Sequence, residues 1–282
     1  MIKIKLSPTN QDFITNYQNI LDTYQEETQI FTANLESNAN NELLPKVCYR
    51  GGVYCNDQLE LLFLNANPHN LVLFSLNNNL PAIEFLVKDL ITNQIEIRGI
   101  LSNNIACDHF IAEYSKVSPA VFTLHLAMNI MRLDNLIKPV LKGELIPSTL
   151  DNNDFIYNYL YNFSNEALGE RPTRAQLIEK YHGRIINHKF FIYINENKQK
   201  TSIIMLSRDL KDGKAITAVY TLPEFRGQGY ATSMVYYACE YIFNQGFKYA
   251  TLFVDKNNPI SNHVYEKLGF YVLTNSYDYR LK

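Results

Sequence analysis

The chain has 282 residues, of which 46% are hydrophobic and 19% are charged, and its formal net charge is −2. This length allows one large domain or two ordinary ones. The nearly balanced charge excludes general polyanion binding, and apolar runs such as Leu71–Leu76 are far shorter than the ~20 residues that span a membrane. We therefore expect a cytoplasmic globular protein with neither nucleic acid nor membrane as a partner.

Cysteine and histidine spacing gives no indication of a metal site. The four cysteines lack a Cys-x-x-Cys pair, and the six histidines show no metal-ligand spacing. Cysteines without such patterns are expected to be reduced thiols. The sequence therefore predicts no metal ion.

The first half of the chain opens with an apolar strand at Ile2–Leu6 and a capped helix, which is not the pattern of a signal peptide. The junction between the halves is expected at Leu136–Lys142, because Pro139 breaks the preceding helix. This placement predicts two domains, residues 1–138 and 139–282.

Sequence similarity between the two halves indicates an internal duplication. Residues 12–17 (Asp-Phe-Ile-Thr-Asn-Tyr) and 154–159 (Asp-Phe-Ile-Tyr-Asn-Tyr) agree at five of six positions. Two asparagines and a histidine also share one spacing, within 103–109 and within 257–263. Repeats of this kind are typical of duplicated domains.

The sequence of the second half predicts elements in the order β-α-α-β-β-β-α-β-α-β. Its strands are expected at about 141–147, 190–194, 201–206, 215–221, 250–254 and 271–280, and its helices at about 153–163, 173–186, from 229 and from 259. This order predicts an α/β (α+β) fold.

A glycine loop follows the strand at 215–221 and opens the next helix, with the sequence Arg226-Gly227-Gln228-Gly229-Tyr230-Ala231-Thr232. Glycines let the backbone approach a ligand closely, and N–H groups at a helix N-terminus favour an anion. The Arg226 guanidinium adds a charged fork for a phosphate. We expect a site for a phosphorylated cofactor, although Gly-x-Gly alone also fits an ordinary turn.

Two other phosphate-binding motifs do not fit this loop. Thr232 stands where a Rossmann fingerprint has its third glycine. The Gly-Lys-Ser/Thr sequence of a Walker A loop is missing.

Arg226-x-x-Gly229-x-Ala231 after a strand resembles motif A of the Gcn5-related N-acetyltransferases, the GNAT superfamily. Asn258-Pro259 and Tyr265-Glu266-Lys267-Leu268-Gly269-Phe270 resemble its motif B, and the spacing between the two motifs also fits. The resemblance is specific over about residues 142–275. It implies a GNAT fold, with a mixed central sheet flanked by helices, for the second half. Together with the internal duplication it predicts two tandem GNAT-like domains, of which the first is degenerate.

The resemblance implies that acetyl-CoA binds here as the acyl donor. The strand backbone at Val219, Tyr220 and Thr221 would pair with the pantetheine arm, and the loop amides from Gly227 to Thr232 would hold the pyrophosphate. Asn258 would bond to the pantetheine or phosphate region, and Tyr265 would lie near the sulfur.

Such a site would acetylate a primary amine of a small molecule or peptide. The amine must first lose a proton, because a free alkyl amine is mostly protonated at pH 7. Glu166 and Glu170 are candidates for the base or for an anionic site that binds a cationic amine. Alternatively, both residues are loop charges exposed to solvent, and the amine loses its proton to water. The sequence does not favour one interpretation over the other. Tyr265 is the expected general acid for the leaving thiolate, and a strand N–H would stabilise the oxyanion.

The first half lacks these groups. Asn77–Ala82 contains neither glycine nor arginine where the loop should lie, and Ile111 stands in the place of Tyr265. We expect this half to wall the acceptor cleft or to form a subunit contact, for example in a homodimer.

Three other functions remain open at this point. One is a non-catalytic CoA or acyl-CoA binding module, such as a sensor. Another is transfer of an acyl group longer than acetyl. The last is a structural protein with a vestigial site, which would bind no CoA.

Overall fold

The computed structural model describes residues 1–39, 48–66 and 68–282. The described strands are β1 (Ile2–Leu6), β2 (Cys48–Cys55), β3 (Gln58–Ala66), β4 (Leu71–Ser75), β5 (Gly99–Ser102), β6 (Phe122–Leu133), β7 (Glu144–Pro147), β8 (Phe190–Ile194), β9 (Lys200–Asp209), β10 (Gly213–Thr221), β11 (Tyr249–Asp255) and β12 (Tyr271–Leu281). The described α-helices are α1 (Asn10–Thr23), α2 (Gln25–Ala39), α3 (Leu80–Thr92), α4 (Asn104–Ser115), α5 (Asn153–Leu168), α6 (Arg174–Ile186), α7 (Tyr230–Asn244) and α8 (Pro259–Glu266).

These elements form two compact units. Unit 1 holds Met1–Met128 together with Thr274–Lys282, and unit 2 holds Asn129–Leu273. Among the described helices, none is both long and apolar enough to cross a membrane.

Unit 1 is built on a mixed sheet with the strand order β1-β2-β3-β4-β5-β12-β6. Its first four strands are antiparallel, and β4 pairs with β5 in parallel. Leu62 and Leu64 of β3 pack with α1 and α2, whereas Leu61 and Phe63 pack with α3 and α4. Because successive side chains of a strand point to opposite faces, β3 contributes to a core on each side of the sheet.

Unit 2 repeats this plan with the strand order β6-β11-β10-β9-β8-β7. Its strands β7 to β10 are antiparallel, and β10 pairs with β11 in parallel. Phe190 and Ile192 of β8 pack in the core with α5 and α6, while Phe191 and Tyr193 pack in the core with α7. The sequence predicts β8 with the same bounds, because an apolar run of this length is typical of a strand buried on both faces.

The segment before Pro139 differs from its prediction. The sequence predicts a helix there, but residues 122–133 form β6. The helix prediction was wrong because apolar residues recur at every second position (Phe122, Leu124, Leu126, Met128 and Ile130), which is the period of a strand.

The compact units also divide the chain at other points than the predicted 138/139 junction. Unit 2 begins at Asn129, inside β6, and the last nine residues belong to unit 1. Strand β12 pairs antiparallel with β5 from Tyr277↔Ser102 to Arg280↔Gly99. The order of residues in the chain does not reveal this pairing, because it depends on backbone hydrogen bonds between distant segments.

Candidate active site

Strand β10 contains a bulge that changes the face of the sheet on which its following side chains lie. Its pairing with β9 shifts between Thr217 and Tyr220, and Ala218 has a φ of +50°. Ile216 packs on the α7 side of the sheet, whereas Ala218 packs on the α5 side, although residues two apart in a regular strand share a face. A bulge of this kind re-aims the strand that follows it. The sequence gives no sign of it, because alanine rarely adopts a positive φ.

The parallel pairing of β10 with β11 ends at Ile216, just before the bulge, and we call the unpaired stretch that follows it the split. Their parallel register runs from Gly213↔Tyr249 to Ile216↔Leu252, although β10 continues to Thr221. Val219, Tyr220 and Thr221, the residues predicted to pair with the pantetheine arm, therefore lie where this register with β11 has ended. An extended ligand can pair with strand residues whose pairing with the neighbouring strand has ended.

The glycine loop leads from this split into α7. Gly227 has a φ of +75° and Gly229 a φ of +83°, and a Cβ on either would meet no atom of the described residues within 4 Å. The backbone conformation, and not crowding, therefore favours glycine at both positions. Gly229 is the N-cap residue of α7 and supplies no side-chain hydrogen bond to the helix. The first N–H groups of α7 thus have no side-chain cap, which suits an anion.

The side chains at the start of α7 are mostly buried or bonded to the protein itself. Tyr230 is buried, and its ring lies beside Tyr193 with 5.7 Å between the ring centroids. Ala231 and Thr232 are half-buried. The side chain of Gln228 is exposed and donates to the carbonyl of Glu224. The backbone of the loop, more than its side chains, is therefore the part that can contact a phosphate.

In unit 1 the N-terminus of the equivalent helix, α3, is capped by a side chain. Asn79 is the N-cap residue of α3, and its side chain accepts a hydrogen bond from the Ala82 N–H at 3.1 Å. Pro81 has no N–H to offer. A helix that begins in this way has far less capacity for an anion than α7.

The two motif-B-like helices can be aligned by their caps. Asn103 caps α4 and Asn258 caps α8. Counting seven residues from each cap, Phe110 corresponds to Tyr265, and not Ile111 as the sequence alignment predicts. Both rings are buried, but only tyrosine carries a hydroxyl. Unit 1 therefore has no tyrosine at this position, as the sequence indicates, but the residue that stands there is Phe110 instead of Ile111.

Arg226 and Glu166 form an ion pair next to the split. The Arg226 guanidinium donates to the Glu166 carboxylate at 2.6 Å and to the Thr221 carbonyl at 2.9 Å. The Tyr220 hydroxyl donates to the same carboxylate. Burial raises the pKa of Glu166, but the hydrogen bonds from Tyr220 and Arg226 outweigh burial and hold that pKa below its usual value. The structure thus brings a predicted base and a predicted phosphate ligand together as partners.

Glu170 lies beyond this pair, in the segment between α5 and α6. Gly169, with a φ of +63°, ends α5, and the Glu170 N–H donates to the Ser164 carbonyl at 2.9 Å. Glu170 is half-buried. Its role as a base or as an anionic site stays a prediction.

Tyr265 is buried in the α7-side core, and its ring lies 5.7 Å from that of Phe270. Burial, with a smaller contribution from Cys239, raises the pKa of the Tyr265 hydroxyl. The hydroxyl therefore keeps its proton at neutral pH, which a general acid requires. Asn258 caps α8 by accepting from the Ser261 N–H at 3.0 Å, so its side-chain oxygen already has a partner.

Residues 155–270 match the model of the Acetyltransferase (GNAT) family. The predicted GNAT resemblance is thereby confirmed. The matched segment contains Glu166, the glycine loop and Tyr265, and it supports acyl transfer as the general chemistry of unit 2. The GNAT family generally uses acetyl-CoA as its acyl donor. No curated protein shows a significant match to this sequence.

Solved GNAT structures are similar to the whole chain. A GNAT-family acetyltransferase from Colwellia psychrerythraea is 14% identical, with 100% of both chains covered and a TM-score of 0.58. A GCN5-related N-acetyltransferase from Sphaerobacter thermophilus is 11% identical over 99% of this chain and 95% of its own, with a TM-score of 0.64. A tandem GNAT protein from the clavulanic acid biosynthesis pathway is 8% identical over 100% of this chain and 98% of its own, with a TM-score of 0.54. At such identities the likeness shows the fold, so the predicted GNAT fold is confirmed.

Lys142 is a neighbour of the glycine loop that the sequence motifs do not reveal. Its ammonium donates to the Gln228 carbonyl at 2.9 Å. The residue precedes β7 and lies far from the loop in sequence. Only the fold brings it to the N-terminus of α7.

A cluster of possible metal ligands in unit 1 was also missed, because it joins two helices. Glu84 of α3 lies near His109 and Glu113 of α4, with their ligand atoms within 4.8 Å of one another. His109 contacts Glu84 at 3.2 Å, and Lys116 pairs with Glu113 at 2.5 Å. These groups already satisfy one another, so we interpret the cluster as an ion-pair network.

Proposed function

We propose that unit 2 transfers the acetyl group of acetyl-CoA to a primary amine of a small molecule or peptide. The observation that carries the proposal is the uncapped N-terminus of α7 next to the split between β10 and β11. A split strand pair suits the extended pantetheine arm, and the uncapped amides suit the pyrophosphate. The match of 155–270 to the acetyltransferase (GNAT) family supports the same chemistry.

The reaction follows from these groups. The neutral amine attacks the thioester carbonyl, and a backbone N–H at Val219 or Thr221 stabilises the oxyanion. The carbon–sulfur bond then breaks, and the Tyr265 hydroxyl gives its proton to the leaving thiolate. The amine nitrogen loses a proton to Glu166, to Glu170 or to water. Of these acceptors, Glu166 has a lowered pKa, so it is ionised at neutral pH but weakly basic.

Unit 1 has a different part in the proposal. Its helix α3 is capped by Asn79 and contains Pro81, so we assign it no acyl-CoA. We propose it as a degenerate GNAT-like partner domain of a cytoplasmic tandem protein.

Thermal unfolding with acetyl-CoA, CoA or NADH tests the proposal first. A ligand at about 100 times its dissociation constant adds about 2.7 kcal/mol of stability, and about 2–4 °C per kcal/mol gives a rise of at least about 5 °C in Tm. We expect this rise with acetyl-CoA and CoA but not with NADH. No rise with either CoA ligand would refute the acetyltransferase proposal.

Turnover separates catalysis from binding. Release of CoA thiol is measured with acetyl-CoA and a panel of primary amines, and then with longer acyl-CoA donors. Amine-dependent thiol release supports the transferase. A Tm rise without thiol release for any amine would instead favour the CoA-binding module or sensor.

A further inference from the structure

Lys142 is held against the start of α7 by its backbone. Its N–H donates to the Ser233 Oγ at 3.2 Å, and its carbonyl accepts from the Tyr193 hydroxyl. The next residue, Gly143, has a φ of +57°, and a Cβ there would lie 2.2 Å from the Ile194 carbonyl oxygen. This segment therefore requires glycine after Lys142. The two backbone hydrogen bonds fix the position of the Lys142 backbone, from which the side chain extends.

The Lys142 side chain reaches the glycine loop from this anchored position. Its Nζ donates to the carbonyl of Gln228, which lies between Gly227 and Gly229, and is 5.9 Å from the centre of the Tyr230 ring. The residue is exposed to solvent. A lysine ammonium has three donors, so the Gln228 contact leaves two for another acceptor.

Charge also favours Lys142 as a phosphate ligand. The guanidinium of Arg226, the cation within the motif, is already paired with Glu166 at 2.6 Å. The phosphates of CoA bring several negative charges to the loop, and lysine is a common phosphate ligand because it acts as a mobile point charge. Lys142 adds a positive charge next to the backbone amides that the proposed function assigns to the pyrophosphate.

We propose that the Lys142 ammonium bridges the Gln228 carbonyl and a phosphate oxygen of bound acyl-CoA. The inference rests on the proposed function of unit 2, because it needs acyl-CoA at the α7 N-terminus. It adds to the binding site a residue that lies outside both sequence motifs.

The test compares Lys142→Met with Lys142→Arg and with Lys248→Met. Methionine keeps most of the stem but removes the charge, whereas arginine keeps the charge. Lys248 pairs with Asp212 at 2.6 Å and follows the C-terminal end of α7, so its substitution removes an equal charge away from the loop. The backbone hydrogen bonds of Lys142 do not depend on its side chain, so these variants should unfold within a few degrees of the wild type.

Calorimetric titration measures dissociation constants for acetyl-CoA and 3′-dephospho-acetyl-CoA, and competition measures that of S-acetylpantetheine, which carries no phosphate. We expect Lys142→Met to weaken acetyl-CoA binding about tenfold and to leave S-acetylpantetheine unchanged. Lys142→Arg should restore most of the loss, and Lys248→Met should change little. A loss that extends to 3′-dephospho-acetyl-CoA identifies the pyrophosphate as the partner, whereas a loss confined to acetyl-CoA identifies the 3′-phosphate.

Two results would overturn the inference alone. One is equal binding of acetyl-CoA by Lys142→Met and Lys248→Met. The other is an equal loss for acetyl-CoA and S-acetylpantetheine, which would make Lys142 a tether of the loop. Failure of the wild type to bind acetyl-CoA would refute the proposed function as well, so the two failures are distinguishable.

Discussion

Replacing three glycines of unit 2 by alanine separates backbone strain from cofactor binding. At Gly229, Gly246 and Gly183, an added Cβ would meet no atom within 4 Å in the part of the chain that the structure describes. Steric clash is therefore absent from all three substitutions. The sites differ in conformation, because Gly229 has a φ of +83° and Gly246 a φ of +90°, whereas Gly183 lies inside α6.

The magnitudes follow from these backbone conformations. An L-residue in the left-handed region costs about 1–2 kcal/mol, so Gly229→Ala and Gly246→Ala should each lower the free energy of unfolding by that amount. At about 2–4 °C per kcal/mol, each Tm falls by about 2–8 °C. Gly183→Ala should raise stability by up to about 1 kcal/mol, because alanine is the better helix former.

Cofactor binding then distinguishes the two strained positions. Gly229 borders the proposed pyrophosphate site, whereas Gly246 follows the opposite end of α7. Calorimetric titration should show weaker acetyl-CoA binding for Gly229→Ala and unchanged binding for Gly246→Ala and Gly183→Ala. An unchanged Tm in Gly229→Ala would refute the strain, and equal acetyl-CoA affinity in the Gly229 and Gly246 variants would refute the assignment of the loop.

Three further predictions concern side chains of unit 2. Tyr265→Phe should lower the rate of thiol release about 100-fold or more, with little change in acetyl-CoA affinity. The control variant Tyr271→Phe should change neither the rate nor the affinity. An unchanged rate in Tyr265→Phe would contradict the general-acid role. Glu166→Gln should lower Tm above about pH 4.5, where the wild-type carboxylate pairs with Arg226. The difference in Tm should shrink as pH falls through the lowered pKa of Glu166, because protonation removes this pairing in the wild type. A Tm difference that is constant with pH would contradict the ion pair. Cys239 is fully buried with a raised thiol pKa, so it should not react with a thiol reagent until the protein unfolds, and peptide mapping of rapid labelling in the folded state would disprove this.

The sequence predicts the parts of unit 2 whose structure depends on local residues. The bounds of β8 follow from an uninterrupted apolar run, and the start of α7 follows from Gly229. The residue types of the two GNAT-like motifs single out the loop and Tyr265 as candidates. In each case the pattern lies within a few neighbouring residues.

The features that sequence reasoning missed depend on distant residues or on unusual backbone geometry. Ala218 adopts a positive φ that its residue type disfavours, so the β10 bulge has no signature in the sequence. The pairing of Arg226 with Glu166, and that of Lys142 with Gln228, join segments that only the fold brings together. Such contacts have no periodic pattern, because they follow from how helices and strands pack.

The position of β12 has a consequence for how the protein is made. This strand lies between β5 and β6, yet it follows almost all of unit 2 in the chain and is therefore synthesised after it. While residues 129–273 are being translated, the edges of β5 and β6 lack their neighbour and can pair with other chains. The unit that emerges first is thus completed last, and a synthetic peptide of residues 271–282 should rescue a chain truncated at residue 270.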